Sequence, residues 1–251
     1  MMIEERPKAP GVLRTALRVL TFTASREELV ALDRRHLAFG LICTWIVGIG
    51  RWWDDPNASL LLHTGLGSVA YVFVLSALLF LIIRPLRPRD WSYFNVLTYV
   101  SLTAPPALLY AIPVERWYGL SNAALLNFWF LGVVALWRVL LFLRYLFRLG
   151  QLTGGQAIPG LLLPIMLIIT ALTTLNLERA VFSIMAGLRG PEPTAHDAAY
   201  FVMLLLSLLS VYGFIPVALF YVAMVFDARK KAREGAPPES EPNPGGALEE
   251  E

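Results

Sequence analysis

The chain has 251 residues, of which 57% are hydrophobic and 16% charged, with a formal net charge of +2. A soluble domain carries about 45–50% apolar and about 25% charged residues, so both departures indicate a membrane protein. The charge is too evenly balanced for a nucleic-acid partner, and the single cysteine, Cys43, excludes an intrachain disulfide and a cysteine-built metal site.

The opening MMIEERPKAPGVLRTALRVL lacks the short apolar core and small-residue cleavage site of a signal peptide. Within it, GVLRTALRVLTF sets Leu13, Leu17 and Leu20 on one side of a helix and Arg14 with Arg18 on another. Two readings fit: a basic amphipathic helix lying on an anionic leaflet, or a solvated helix packed against the bundle. Ser25 to Glu28, SREE, has the spacing of a capping box that starts the next helix.

Crossing the hydrocarbon takes roughly 20 apolar residues in a helix. Six stretches qualify, at about 36–53, 64–84, 91–112, 122–146, 157–178 and 198–226. The first is short and bracketed by Arg35 and Arg51, so Arg51 is expected to snorkel outward. The last is long enough to tilt or protrude. The expected fold is all-α: a polytopic transmembrane bundle of about six helices with an N-terminal amphipathic helix. Residues 1–35 form a cytoplasmic N-terminal segment, 36–226 the transmembrane domain, and 227–251 a disordered cytoplasmic tail, rich in Pro, Gly and Glu.

Basic flanks alternate with acid-balanced loops. Arg14, Arg18, Arg26, Arg34 and Arg35 precede the first span; Arg84, Arg87 and Arg89 follow the second. Arg138, Arg144 and Arg148 end the fourth, and Arg229, Lys230, Lys231 and Arg233 follow the sixth. Both termini are therefore expected in the cytoplasm. Preference for Arg over Lys, with Ala and Leu richness, suggests a GC-rich bacterial genome and hence the bacterial cytoplasmic (inner) membrane.

The loop after the first span, RWWDDPNASLLL from Arg51, returns 65 positions later as RWYGLSNAALLN from Arg116. Either helical hairpins repeat in parallel or the identities are coincidental. Trp52, Trp53, Trp117 and Tyr118 stand where an interfacial aromatic belt is expected, and the polar residues after them resemble helix caps. Caps do not explain the doubled acid-base residues: Arg51 with Asp54 and Asp55, Glu115 with Arg116, and Glu178 with Arg179. Charges held near lipid are paired or functional. Such a cluster is either a ring of interhelical salt bridges or a polar site for an anionic head group or a metal. His63 and the His196–Asp197 pair share that side without metal-binding spacing. Hydrolase, nucleotide-binding and metalloprotease signatures are missing, so no catalytic residue, cofactor or metal is assigned.

In the third span, SLTAPPALLYAIP puts Pro105 and Pro106 at mid-membrane, where two donors are lost and carbonyls open. This is either a structural kink or a broken helix lining a substrate path. Ser101, Thr103, Thr170, Thr173, Thr174 and Asn176 are available to mend the break or to bind helices together.

From Trp91 to Thr170 the chain resembles the bacterial branch of the Yip1-like membrane proteins. The resemblance rests on NVLTYVSLTAPPALL after a basic turn, then VVALWRVLLFLRYLFRLGQLTGGQAIPGLLLP, with TASREEL approaching the membrane. It covers a third to a half of the chain. Members of that family have five spans where this chain reads as six, and RWWDDP is not one of their marks. The resemblance implies a cytoplasmic N-terminus and a membrane-organising or adaptor role without catalytic residues.

Three functions follow as expectations. The leading one is a non-enzymatic scaffold that binds other membrane proteins or lipid head groups through its aromatic, acid-base outer face. The others are a small transporter using the break at Pro105-Pro106, and an enzyme acting on lipid head groups through the outer carboxylates.

Overall fold

The computed structural model describes residues 11–50, 60, 64–114, 117–118, 120–177 and 193–234, and these are helical with no strand among them. Three short elements come first: α1 (Val12–Leu20), α2 (Arg26–Val30) and α3 (Arg34–Ile49). The SREE capping box is present: the Glu28 N–H donates to Ser25 Oγ (3.3 Å) and the Ser25 N–H to Glu28 Oε2 (2.9 Å). It opens only the single turn of α2. The chain then resets, and Asp33 caps α3 by accepting from the Arg35 and His36 N–H groups at 2.9 and 3.2 Å.

α4 (Leu66–Ile83) ends in a 3₁₀ turn, Arg84–Leu86. The third apolar stretch is split into α5 (Tyr93–Leu102) and a 3₁₀ segment, Pro105–Ala111; α6 (Leu120–Arg148), α7 (Gly154–Thr174) and α8 (Pro193–Glu234) follow. Four of these are long and apolar enough to cross a membrane: Leu66–Leu86, Leu125–Arg148, Gly154–Thr174 and Phe201–Lys230. The chain is thus a multi-pass α-helical protein. α3 has 16 residues, about 24 Å at 1.5 Å per residue. α5 and the 3₁₀ segment after it, with 10 and 7 residues, together reach about 29 Å. α8 outruns its expected limits, because its basic end, ARKKARE, is made of strong helix formers.

The basic turns gather at one end of the bundle. The Arg89 N–H donates to the Gly150 carbonyl (3.1 Å), Arg26 pairs with Asp90 (2.5 Å), and the Tyr221 hydroxyl of α8 donates to the Ile82 carbonyl. The main core lies toward this basic end, with Leu86, Val96, Leu141, Tyr145, Leu146, Leu149 and Ala157 essentially sealed. The opposite half holds a small cluster of Val47, Ala107 and Val134.

Lipid is as apolar as leucine, so burial alone does not drive helices together in a bilayer; close approach of small residues does. α3 carries Gly40, Thr44 and Gly48 one turn apart, all buried. A Cβ on Gly40 would lie 2.3 Å from Ser101 Oγ of α5, and one on Gly48 would lie 2.8 Å from the Gly65 Cα that precedes α4. Gly65 itself has φ +71°, a conformation that glycine adopts without strain.

Candidate functional site at the broken third helix

α5 is the innermost element. Val96 through Leu102 are all buried, a run that only a helix covered on every side can show. α3, α4 and the end of α6 surround it. The Tyr99 ring stacks on Tyr145 at 3.9 Å, and the Tyr99 hydroxyl donates to the Leu141 carbonyl at 2.7 Å. This helix stops inside the bundle.

Its ending follows from Pro105 and Pro106. Leu102 has a proline at both the third and the fourth position after it, so its carbonyl has neither a 3₁₀ nor an α-helical N–H donor. The chain tightens around the gap: the Thr103 N–H donates to Val100 O (3.2 Å) and the Ala104 N–H to Ser101 O (3.1 Å). Two hydroxyls turn inward as well, Ser101 Oγ to Thr98 O (2.8 Å) and Thr103 Oγ1 to Val100 O (2.7 Å). Of the six polar residues available, Ser101 and Thr103 tie their hydroxyls to the last turn of α5, beside the break rather than on the Leu102 carbonyl. The others serve α7: Thr173 donates to Ser207 on α8 (3.1 Å) and Thr174 to the Thr170 carbonyl (2.7 Å), while Asn176 ends the helix with φ 51°.

An arginine completes the site. Arg138 Nε donates to Thr103 Oγ1 at 3.3 Å. Arg138 reads in the sequence as part of the basic flank that ends the fourth span. In the fold it stands ten residues before the end of α6 at Arg148, about 15 Å along the helix. It shares the inward face with the buried Val134, Leu141 and Tyr145. The carboxyl end of α5 carries the negative pole of that half-helix, and a cation there gains ~0.3–1 kcal/mol, up to ~2 when partly buried. Leu102, Thr103, Ala104 and Ala107 are at most 5% exposed, while Pro105 and Pro106 are half-buried, so protein covers the inner side of the break.

The outer acid-base residues Arg51, Asp54, Asp55, Glu115, Arg116, Glu178 and Arg179 lie outside the described residues, as do Trp52, Trp53 and His63. Trp117 and Tyr118 are described and exposed, held in a turn whose N–H groups both donate to Val114 O. Among the described residues no three His, Cys, Asp or Glu gather as a metal site.

At the basic end a cleft of about 720 Å³ opens between the α2–α3 corner and the start of α5, lined by Leu32, Asp33, Arg34, Asp90, Trp91 and Asn95. Beside it, His36 is 1% exposed, with Nδ1 2.7 Å from Asp33 Oδ1 and Nε2 buried without a partner. Burial pushes the Asp33 carboxyl up, but hydrogen bonds from the His36 ring and from two backbone N–H groups outweigh it and hold the group below its usual value.

No protein-family model, curated protein or solved structure matches the chain. Its class rests on its own geometry: a multi-pass helical bundle fit for an integral membrane protein, with a buried, broken helix at its centre.

Proposed function

We propose that the protein is a non-enzymatic membrane scaffold, a partner-binding protein of the bacterial inner membrane with six spans and both termini in the cytoplasm. The observation that carries this reading is the closure of the broken helix by the bundle's own groups. Backbone turns, the Ser101 and Thr103 hydroxyls and the Arg138 guanidinium bind the chain together where the helix breaks, which is what a fixed frame needs and a passage does not. The Arg18–Glu28 pair joins the two N-terminal helices, and the Arg26–Asp90 pair and the Trp137–Leu20 hydrogen bond pin them to the same frame. The likeness to Yip1-like proteins between Trp91 and Thr170 points to the same adaptor role. Trp117 and Tyr118, both exposed, belong to the contact surface at the far end.

A second reading has one observation in its favour: Arg138 is a cation on the inward face of a span, and intramembrane charges often mark a substrate path. The bundle would then be a small anion transporter. Purification in native lipid separates the two. A stoichiometric partner that is lost from a Trp117→Ala, Tyr118→Ala variant and kept by Arg138→Met supports the scaffold. Anion flux in proteoliposomes that disappears with Arg138→Met, without any such partner, supports the transporter.

A further inference from the structure

α1 has three faces, and one of them carries leucines that the described residues leave largely uncovered. At 100° per residue, Val12, Thr15, Ala16 and Val19 share one face, Leu13, Leu17 and Leu20 a second, and Arg14 with Arg18 a third, about 120° apart. Thr15, Ala16 and Val19 are buried against the bundle. Leu13 and Leu17 are 65% and 62% exposed, although they are the most apolar part of the helix. Arg14 is exposed, and Arg18 reaches back to Glu28 at 2.6 Å. Leu13 and Leu17 thus form an apolar stripe that none of the described residues covers.

The height of α1 against the spans says which occupant. Its end is tied to α6: Trp137 Nε1 donates to the Leu20 carbonyl at 3.1 Å, and the Phe22 ring sits 5.5 Å from the Trp137 ring. Trp137 belongs to the apolar span Leu125–Arg148, eleven residues from its end, or about 16 Å along the helix. Its neighbours Leu136 and Leu140 are exposed side chains of that same span. The leucine stripe of α1 therefore continues the lipid-facing surface of α6 at the basic end.

We propose that α1 is embedded in the leaflet at the basic end, with Leu13 and Leu17 among acyl chains and Arg14 at the lipid phosphates. The partner is the phospholipid surface itself. Pinning through Thr15, Ala16 and Val19 makes the insertion a permanent feature, so the protein occupies more of one leaflet than its spans alone would. The proposal rests on the membrane reading above but not on the scaffold reading.

Spin labels on single cysteines test it in the full chain. Leu13→Cys, Arg14→Cys, Ala16→Cys and Leu17→Cys are made in a Cys43→Ser background, and each protein is reconstituted into phosphatidylethanolamine–phosphatidylglycerol vesicles. Labels at 13 and 17 should be more accessible to oxygen than to an aqueous nickel chelate, the label at 14 the reverse, and the label at 16 accessible to neither. Chelate access at 13 and 17 would overturn the proposal by leaving the stripe in water. Spin–spin broadening at 17 that vanishes on dilution with unlabelled protein would overturn it by putting a second copy on that face. Neither result touches the Trp117 and Tyr118 variants, so the scaffold reading fails or stands separately.

Discussion

A guanidinium that leaves water has five N–H groups to satisfy, and Arg138 directs its Nε to the Thr103 hydroxyl just past the end of α5. The Leu102 carbonyl lacks its donors, the half-helix ends there, and Thr103 Oγ1 receives the Arg138 Nε. Arg138→Met should therefore lower the unfolding temperature in detergent, by the equivalent of about 1–2 kcal/mol. Restoring the missing N–H groups with Pro105→Ala and Pro106→Ala should make the same Arg138→Met change cheaper, since Thr103, which Arg138 holds, stands in the turn the prolines create and coupled neighbours interact by about 0.5–3 kcal/mol. Exposure of Cys43 to a thiol dye on heating reports both; strict additivity would show that arginine and break are unrelated. Asp33 makes a pH prediction. Its carboxyl is held below its usual value in the fold, so its contribution is present above the unfolded-state value and is lost as pH falls through the folded one. Asp33→Asn should flatten the acid side of the stability profile between those two values; an unchanged profile would remove the cap from the account.

The elements divide by how their ends are signalled. Glycines on α3 decide its packing: Gly40→Val must push α5 away, because even a Cβ meets Ser101 at 2.3 Å. That overpacking should cost about 1–3 kcal/mol, read as a lower unfolding temperature, while the same change at Gly132, with open space around it, should leave it unchanged or slightly raised, because valine is a somewhat better helix former than glycine. Spans of strong hydropathy, α4, α6 and α7, were legible to within a few residues, as was the SREE box, because length and caps depend on near neighbours. The broken helix was half legible. Two adjacent prolines announce a gap, but which of six hydroxyl and amide residues mends it depends on chains far away in sequence. Arg138 was misread for the same reason: a flank rule counts arginines near a hydrophobic end, and α6 continues through the apolar residues 139–143 before it stops. α1 shows the reverse case. Its leucine and arginine stripes are plain in GVLRTALRVL, whereas the small third face acquires meaning only when α3 and α5 are there to receive it. α1 is packed on that small face, while Leu13 and Leu17 stay exposed on another.

Across the whole molecule, charge and packing are arranged by end. Arg26, Arg89 and the turn at Gly150 meet around one pole with the sealed core beneath them, while Trp117 and Tyr118 stand exposed at the other. The outer acid-base residues fall outside the described part of the chain, and their use as a contact surface rests on sequence alone. The central claim is that the basic pole faces the cytoplasm and the aromatic pole faces out, as retention of arginine-rich turns on the inner side requires. In a Cys43→Ser background, Arg87→Cys and Tyr118→Cys can be tested in intact cells with a membrane-impermeant maleimide. Position 118 should be labelled at once, and position 87 only after the membrane is opened. Labelling of position 87 in intact cells, or labelling of both positions from one side, would contradict the account.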